Sequence, residues 1–328
     1  MSAVSAKDVA ELRRTTGAGM MDCKEALKES GGDFDGALDF LRKKGQKVAA
    51  KRADRDANEG IVITRVNEPG NKGIIIGISC ETDFVAKNEL FIEFAGKIAD
   101  LAFEKMPATK DELVALSFDG STLAEKLVDQ TGKTGEKIEV SNYSKMEGEH
   151  LATYIHAGSK IGVLLSYKDG GKSDASQFFR SVAMHIAAMN PSIMSPDEFD
   201  AELVAKETEA IQAQIKAENE LNVAENLGKA IKIVPQFVSK LQLTPEVLAA
   251  AEEQIKADLK AEGKPEKIWD KIVPGKMDRF IADNTLLDQE RCLLSQFFAL
   301  DDTKTVAAAI KDFSDSAAVV EYKRVAVG

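Results

Sequence analysis

An internal echo constrains this chain more than any other feature. After Gly73 an apolar run, Ile74 to Ile78, leads into a segment carrying Phe91, Ala95, Ile98 and Ala99. After Gly162 the run Val163 to Leu165 leads into Phe179, Ala183, Ile186 and Ala187, each 88 positions beyond its counterpart. A β-branched run bounded by glycine reads as a strand, and apolar residues spaced i, i+4, i+7 and i+8 mark one face of a helix. The repetition predicts two similar sheet-and-helix units packed side by side. Strand signals occupy residues 61–66, 73–80, 136–143, 154 and 161–167, with helical patterns such as 89–103 between them. That alternation of hairpins and helices predicts an α+β fold with antiparallel sheets, not a doubly wound parallel sheet.

The first 45 residues read as three short helices. Ser5 is an N-cap with Asp8 three positions on, and Val9 and Leu12 form the apolar face. Gly17 and Gly19 interrupt, Met20, Cys23 and Leu27 carry the second face, and Gly31 and Gly32 supply the positive φ that ends a helix. Phe34, Leu38 and Leu41 mark a third helix expected to stop near Gly45. So small a bundle suits a binding module better than a catalytic domain. Residues 42–55 hold seven basic side chains and one acidic one, which reads as a solvated linker. An RNA-phosphate contact is the weaker alternative, because no aromatics are interleaved to stack bases.

Beyond Pro196 the pattern is helical to about residue 281. Ile211, Ile215, Leu221 and Leu227 lie in one arm. Thr244 and Pro245 are the N-cap and first-turn proline of a second, in which Leu248, Ala251, Ile255 and Leu259 follow an a/d spacing. An antiparallel helical hairpin is expected, with Pro274 kinking or breaking its return. A helix at 303–313 and a strand at 317–327, paired with an earlier sheet, close the chain. The expected organisation is a helical module at 1–45, a linker at 46–59 and a first core unit at 60–145. A second core unit takes 146–200 and 283–300, the hairpin 201–282, and a closing module 301–328.

Chemistry is sparse. The net charge of -11 gives no general attraction for nucleic acid, and no stretch approaches the ~20 apolar residues that span a bilayer, so a cytoplasmic protein without membrane contact is expected. Cys23, Cys80 and Cys292 have no CxxC spacing and read as buried thiols. Only three histidines occur, and no HExxH, GxSxG, GxGxxG or P-loop sequence is present, so neither enzyme, metal nor cofactor is indicated. A binding function is left standing. Met20 and Met21 are consecutive on a helix and cannot both face one core, so at least one is free for a partner. The segment Glu81, Thr82, Asp83, Phe84, Val85 sits where a strand ends and a helix begins. Thr82 or Asp83 caps that helix with Phe84 buried, or Phe84 protrudes as an aromatic wedge beside a carboxylate. His156 reads as a hairpin residue and His185 as a packed one.

Taken together, these residues resemble the elongation factor Ts family, guanine nucleotide exchange factors for elongation factor Tu. The run from Leu12 to Leu27, LRRTTGAGMMDCKEAL, is similar to that family's most characteristic signature, and TDFVAK at Thr82 to Lys87 is similar to its second. HAGSKIGV from His156, MHIAA from Met184 and GKPEKIWDKIVPGKMDRF from Gly263 add to the match. The resemblance implies a ubiquitin-associated-like N-terminal module, two related α+β core subdomains and a protruding coiled coil. It also implies catalysis of GDP release without covalent chemistry, in a one-to-one or two-to-two complex with elongation factor Tu. By matching motifs, Leu12, Met20, Met21 and Lys24 would bind the partner from the N-terminal module. Asp83 and Phe84 would form the wedge that acts on the partner's magnesium and phosphate site, with Thr82, Val85, Gly135 and His156 as further contacts. Two departures stand out. Residues 208–252 have no counterpart in the family's shorter members. Around Gly135, where the family often has an apolar residue before the glycine and Asn after the glutamate, Thr134 and Lys137 stand here.

Overall fold

Two three-stranded antiparallel sheets carry the echo, each with the repeated strand at its centre. In one, Lys72–Cys80 lies between Glu59–Val66 and Glu139–Glu147. In the other, Ile161–Asp169 lies between Ala317–Ala326 and His150–Ile155. The computed structural model describes residues 4–156 and 158–328, so Ala157 of the HAGSKIGV motif lies outside the described residues. Each central strand is followed by a helix, Glu89–Lys105 or Ala175–Met189, and all eight echoed helix residues are buried. The repetition is therefore the core-facing stripe of two helices.

Lys72–Cys80 is buried on both faces because it has a partner on each. Ile74, Ile76 and Ile78 point to the helix Glu89–Lys105, while Ile75 joins Val62, Leu164, Val325 and Val327 between the sheets. The period-two alternation of the pleat separates the two sets. Gly162 permits this stacking, since a Cβ there would come within 2.6 Å of Val62 Cγ1.

The N-terminal module packs Val9, Leu12, Cys23, Leu27 and Ala37 together. Its caps are those expected: the Asp8 N–H donates to Ser5 Oγ, and Gly31 and Gly32 take φ of 67° and 91°. The third helix does not stop at Gly45 but runs from Phe34 to Arg52, absorbing half of the stretch expected as linker. Gly45 is where this helix crosses Leu123–Thr134. It lies against Gly132, where an added Cβ would meet Gly45 Cα at 2.6 Å. Here the absence of a side chain serves close approach, not termination.

A second compact unit spans Ala188–Asp315, and the first takes the chain up to Ala187 together with Ser316–Gly328. The closing helix Val306–Phe313 and the closing strand thus belong to different units, dividing the region expected as one module. In the second unit the helix Ala201–Ala224 is not answered by a helical arm. The chain after it returns without helical structure, tied to the helix by amide side chains. Asn219 donates to Lys232 O at 2.8 Å and accepts from its N–H at 2.9 Å. Asn222 does the same with Lys229 at 2.6 and 3.1 Å, and Gln212 donates to Pro235 O at 2.9 Å. These side chains act as a second backbone for a segment that has no ladder of its own. The helices that do pair are Pro245–Ala261, capped by Thr244 as expected, and Trp269–Asp283. The latter continues unbroken through Pro274, forfeiting one bond near its start.

Candidate functional site

The end of strand Lys72–Cys80 sets the geometry. Cys80 is buried, and burial pushes its thiol up to about 12, so it fills space and does not react. The chain then turns at Thr82, whose extended backbone begins the four-residue helix Asp83–Ala86 and whose hydroxyl accepts from the Val85 N–H. Ala86 is buried and Val85 half-buried against the core of the first sheet. One turn of helix cannot also bury the residue that precedes them, and Phe84 stands 84% exposed. Of the two alternatives for this segment, a buried Phe84 is excluded and a protruding one observed, while Thr82 still caps the helix. Beside it Asp83 accepts from Lys87 Nζ at 2.7 Å, a bond that holds its carboxyl below the usual carboxylate range.

Two carboxylates fix this turn, and neither is singled out by the sequence motifs. Glu136 receives the Thr82 hydroxyl at 2.7 Å and the Thr82 N–H at 3.0 Å. Glu81 receives the Lys137 N–H at 2.7 Å, with Arg52 at 2.7 Å and Arg55 at 3.5 Å from its other oxygen. Burial alone would push the Glu81 carboxyl up, but the Lys137 N–H and the two guanidiniums outweigh it and hold it below its ordinary value. Arg52 and Arg55, read from sequence as part of a solvated run, are thus drawn onto the site. Lys137 contributes to Glu81 through its backbone, so the departure from Asn at this position leaves that bond intact. The bonded partners stand 54 and 56 positions apart in sequence, which hides the pairing from any local pattern.

The structure brings several of the expected residues to one edge. Gly135, at φ 72°, caps the helix Leu123–Thr134 and leads directly into Glu136. His156 is exposed on the turn between the strands His150–Ile155 and Ile161–Asp169, with the Tyr154 hydroxyl 3.1 Å from its Nδ1. That turn is tied to the first sheet by the Val62 N–H donating to Ser159 O at 2.6 Å and by Lys160 on Glu59 at 2.6 Å. Asp83, Lys87, Gly158 and Lys160 line one shallow depression there. Met20, Met21 and Lys24 form another surface, on the N-terminal module, where they line a groove with Val9, Arg13 and Arg14. Both methionines are exposed, at 57% and 72%. Leu12, expected as a contact, is instead fully buried in the module core, so it supports this groove from beneath. His185 is buried as expected.

The family model described as Elongation factor TS matches residues 81–234 and 222–328. The Elongation factor Ts of Rhodopirellula baltica is 69% identical over 327 residues, covering 100% of both chains. The chain belongs to the elongation factor Ts family. Elongation factor Ts of Flavobacterium johnsoniae is 47% identical over 328 residues, again with 100% of both chains covered. That of Wolinella succinogenes is 41% identical over 338 residues, covering 100% of this chain and 95% of its own. These alignments cover this chain from end to end and so span residues 208–252. Among the described residues no helix is long and apolar enough to cross a membrane.

Proposed function

We propose that this chain binds elongation factor Tu carrying GDP and promotes release of the nucleotide and its exchange for GTP. Family membership supports the reading, and the observation that carries it is Phe84, a large apolar side chain 84% exposed on a turn anchored on both sides. An exchange factor needs no nucleophile. It speeds release by binding its partner more tightly when the nucleotide is gone, and a thousandfold loss of nucleotide affinity corresponds to about 4 kcal/mol of antagonism. Burying one phenylalanine contributes roughly 1.5–3 kcal/mol, so Phe84 cannot supply this alone. It acts as a wedge driven by a wider interface, to which Met20, Met21 and Lys24 contribute from the N-terminal module and Gly135 and His156 from the core. Entering the partner, Phe84 parts the elements that coordinate magnesium and cradle the phosphates, and Asp83 holds them displaced. The pair Pro245–Ala261 and Trp269–Asp283 takes the place of the family's coiled coil.

The test is release of a fluorescent GDP from elongation factor Tu. Phe84→Ala keeps most of the binding and slows release at saturating concentration by roughly tenfold or more, the factor for losing 1.5–3 kcal/mol. An unchanged rate rejects the wedge.

A further inference from the structure

We propose that Glu136 is a positioning residue for exchange: its carboxylate holds the Thr82 turn so that Phe84 is presented in one pose, and this grip sets the maximal rate of nucleotide release rather than the strength of docking. The proposal rests on the wedge reading of Phe84.

A helix of four residues has too few internal bonds to hold its own shape, so its ends decide where Phe84 points. At the C-terminal end the frame is buried Ala86, followed by Asn88, which caps the next helix by accepting from the Leu90 N–H at 2.9 Å. At the N-terminal end, Thr82 is held by both oxygens of Glu136, one on its N–H and one on its hydroxyl. Two parallel bonds to one carboxylate fix orientation as well as position, and bonds to a charged acceptor are stronger than neutral ones. The salt bridge of Asp83 with Lys87, by contrast, is a surface pair along the same short turn and does not tie it to the rest of the fold.

Glu136 can do this because its own loop is fixed. The Gly135 N–H closes the preceding helix on Thr131 O at 2.9 Å, the Glu136 N–H donates to Thr134 Oγ1 at 3.2 Å, and the Ile138 N–H donates to Thr131 Oγ1 at 3.1 Å. Thr131 and Ile138 are both buried. The reciprocal bond from the Lys137 N–H to Glu81 fastens the loop to the strand on the other side of Thr82. The two segments thus exchange carboxylates across the turn.

The consequence is kinetic. A wedge held in one pose has little conformational freedom left to lose when it enters the partner, whereas a loose one loses that freedom at the step that expels the nucleotide. Docking through the N-terminal groove precedes that step and does not depend on the grip.

Fluorescent GDP release from elongation factor Tu, measured against the concentration of the full chain, separates the maximal rate from the half-saturating concentration. Glu136→Ala lowers the maximal rate roughly tenfold and leaves the half-saturating concentration within about twofold, the scale of one lost charge-assisted bond. Thr82→Val lowers it in the same sense, while Thr82→Ser, which keeps the hydroxyl, retains the wild-type rate within about twofold. Wild-type maximal rates in Glu136→Ala and Thr82→Val, or a change confined to the half-saturating concentration, overturn the proposal. If Glu136→Ala does not fold by circular dichroism, Thr82→Val against Thr82→Ser decides alone. Phe84→Ala in the same assay keeps the two readings apart. A slow Phe84→Ala beside normal Glu136 and Thr82 variants leaves the wedge standing and removes the grip, whereas a normal Phe84→Ala removes both.

Discussion

Glu81 joins the last turn of an N-terminal helix to a loop 56 residues further along the chain, and it does so as an anion. Because its carboxyl is held below its ordinary value in the folded protein, its contribution to stability is fully present above the unfolded value of about 4.3 and is lost as pH falls through the lower folded value. Glu81→Gln should therefore be less stable than wild type near neutral pH, and thermal melts should show that difference shrinking as the pH is taken below about 4. A difference that stayed constant over that range would mean that charge is not what Glu81 supplies. Met21 makes the complementary case for docking. At 72% exposure it has no folded-state duty, so Met21→Ala should leave the melting temperature unchanged. In the release assay it should raise the half-saturating concentration roughly tenfold, as the burial of one methionine implies, without altering the maximal rate.

At the scale of elements, the crossing of Phe34–Arg52 over Leu123–Thr134 depends on two glycines in contact. Gly132→Ala would set a methyl 2.6 Å from Gly45 Cα and force the helices apart, with a loss of roughly 1–3 kcal/mol in denaturant unfolding. Gly96→Ala is the control: on the helix Glu89–Lys105 with nothing within 4 Å of the added methyl, it should be neutral or stabilising by about 0.5–1 kcal/mol. The same crossing shows where sequence reading stops. Ser5, Thr244 and the stripe Phe91, Ala95, Ile98 and Ala99 were legible because caps and periodic faces act through neighbours a few positions away. Gly45 was not, since a glycine that ends a helix and one that admits another helix look alike until the second helix is placed. The return segment after Ala224 misled for a related reason. Leu221 and Leu227 continue an apolar spacing, yet they stand 51% and 44% exposed, while Asn219 and Asn222 hold the chain. At the site, the TDFVAK motif pointed to Phe84, but Glu81 and Glu136 act across more than 50 residues and no local pattern announces them.

For the whole molecule, the proposed function is a statement about coupling, and coupling has a consequence that no single residue carries. If the chain weakens GDP binding to elongation factor Tu by a given factor, GDP must weaken the binding of the chain by the same factor, because both paths round the cycle end in the same ternary state. Calorimetric titration of the chain into nucleotide-free partner and into partner saturated with GDP gives the second factor. Displacement of GDP at saturating chain gives the first. The two should agree, and for a thousandfold effect each corresponds to about 4 kcal/mol. Phe84→Ala should reduce both together, since the wedge is where the two ligands conflict, whereas Met21→Ala should weaken binding to both forms of the partner and leave their ratio unchanged. A ratio near one in the wild-type chain would make it a passive ligand of elongation factor Tu, whatever its family, because a partner that binds both states equally shifts neither.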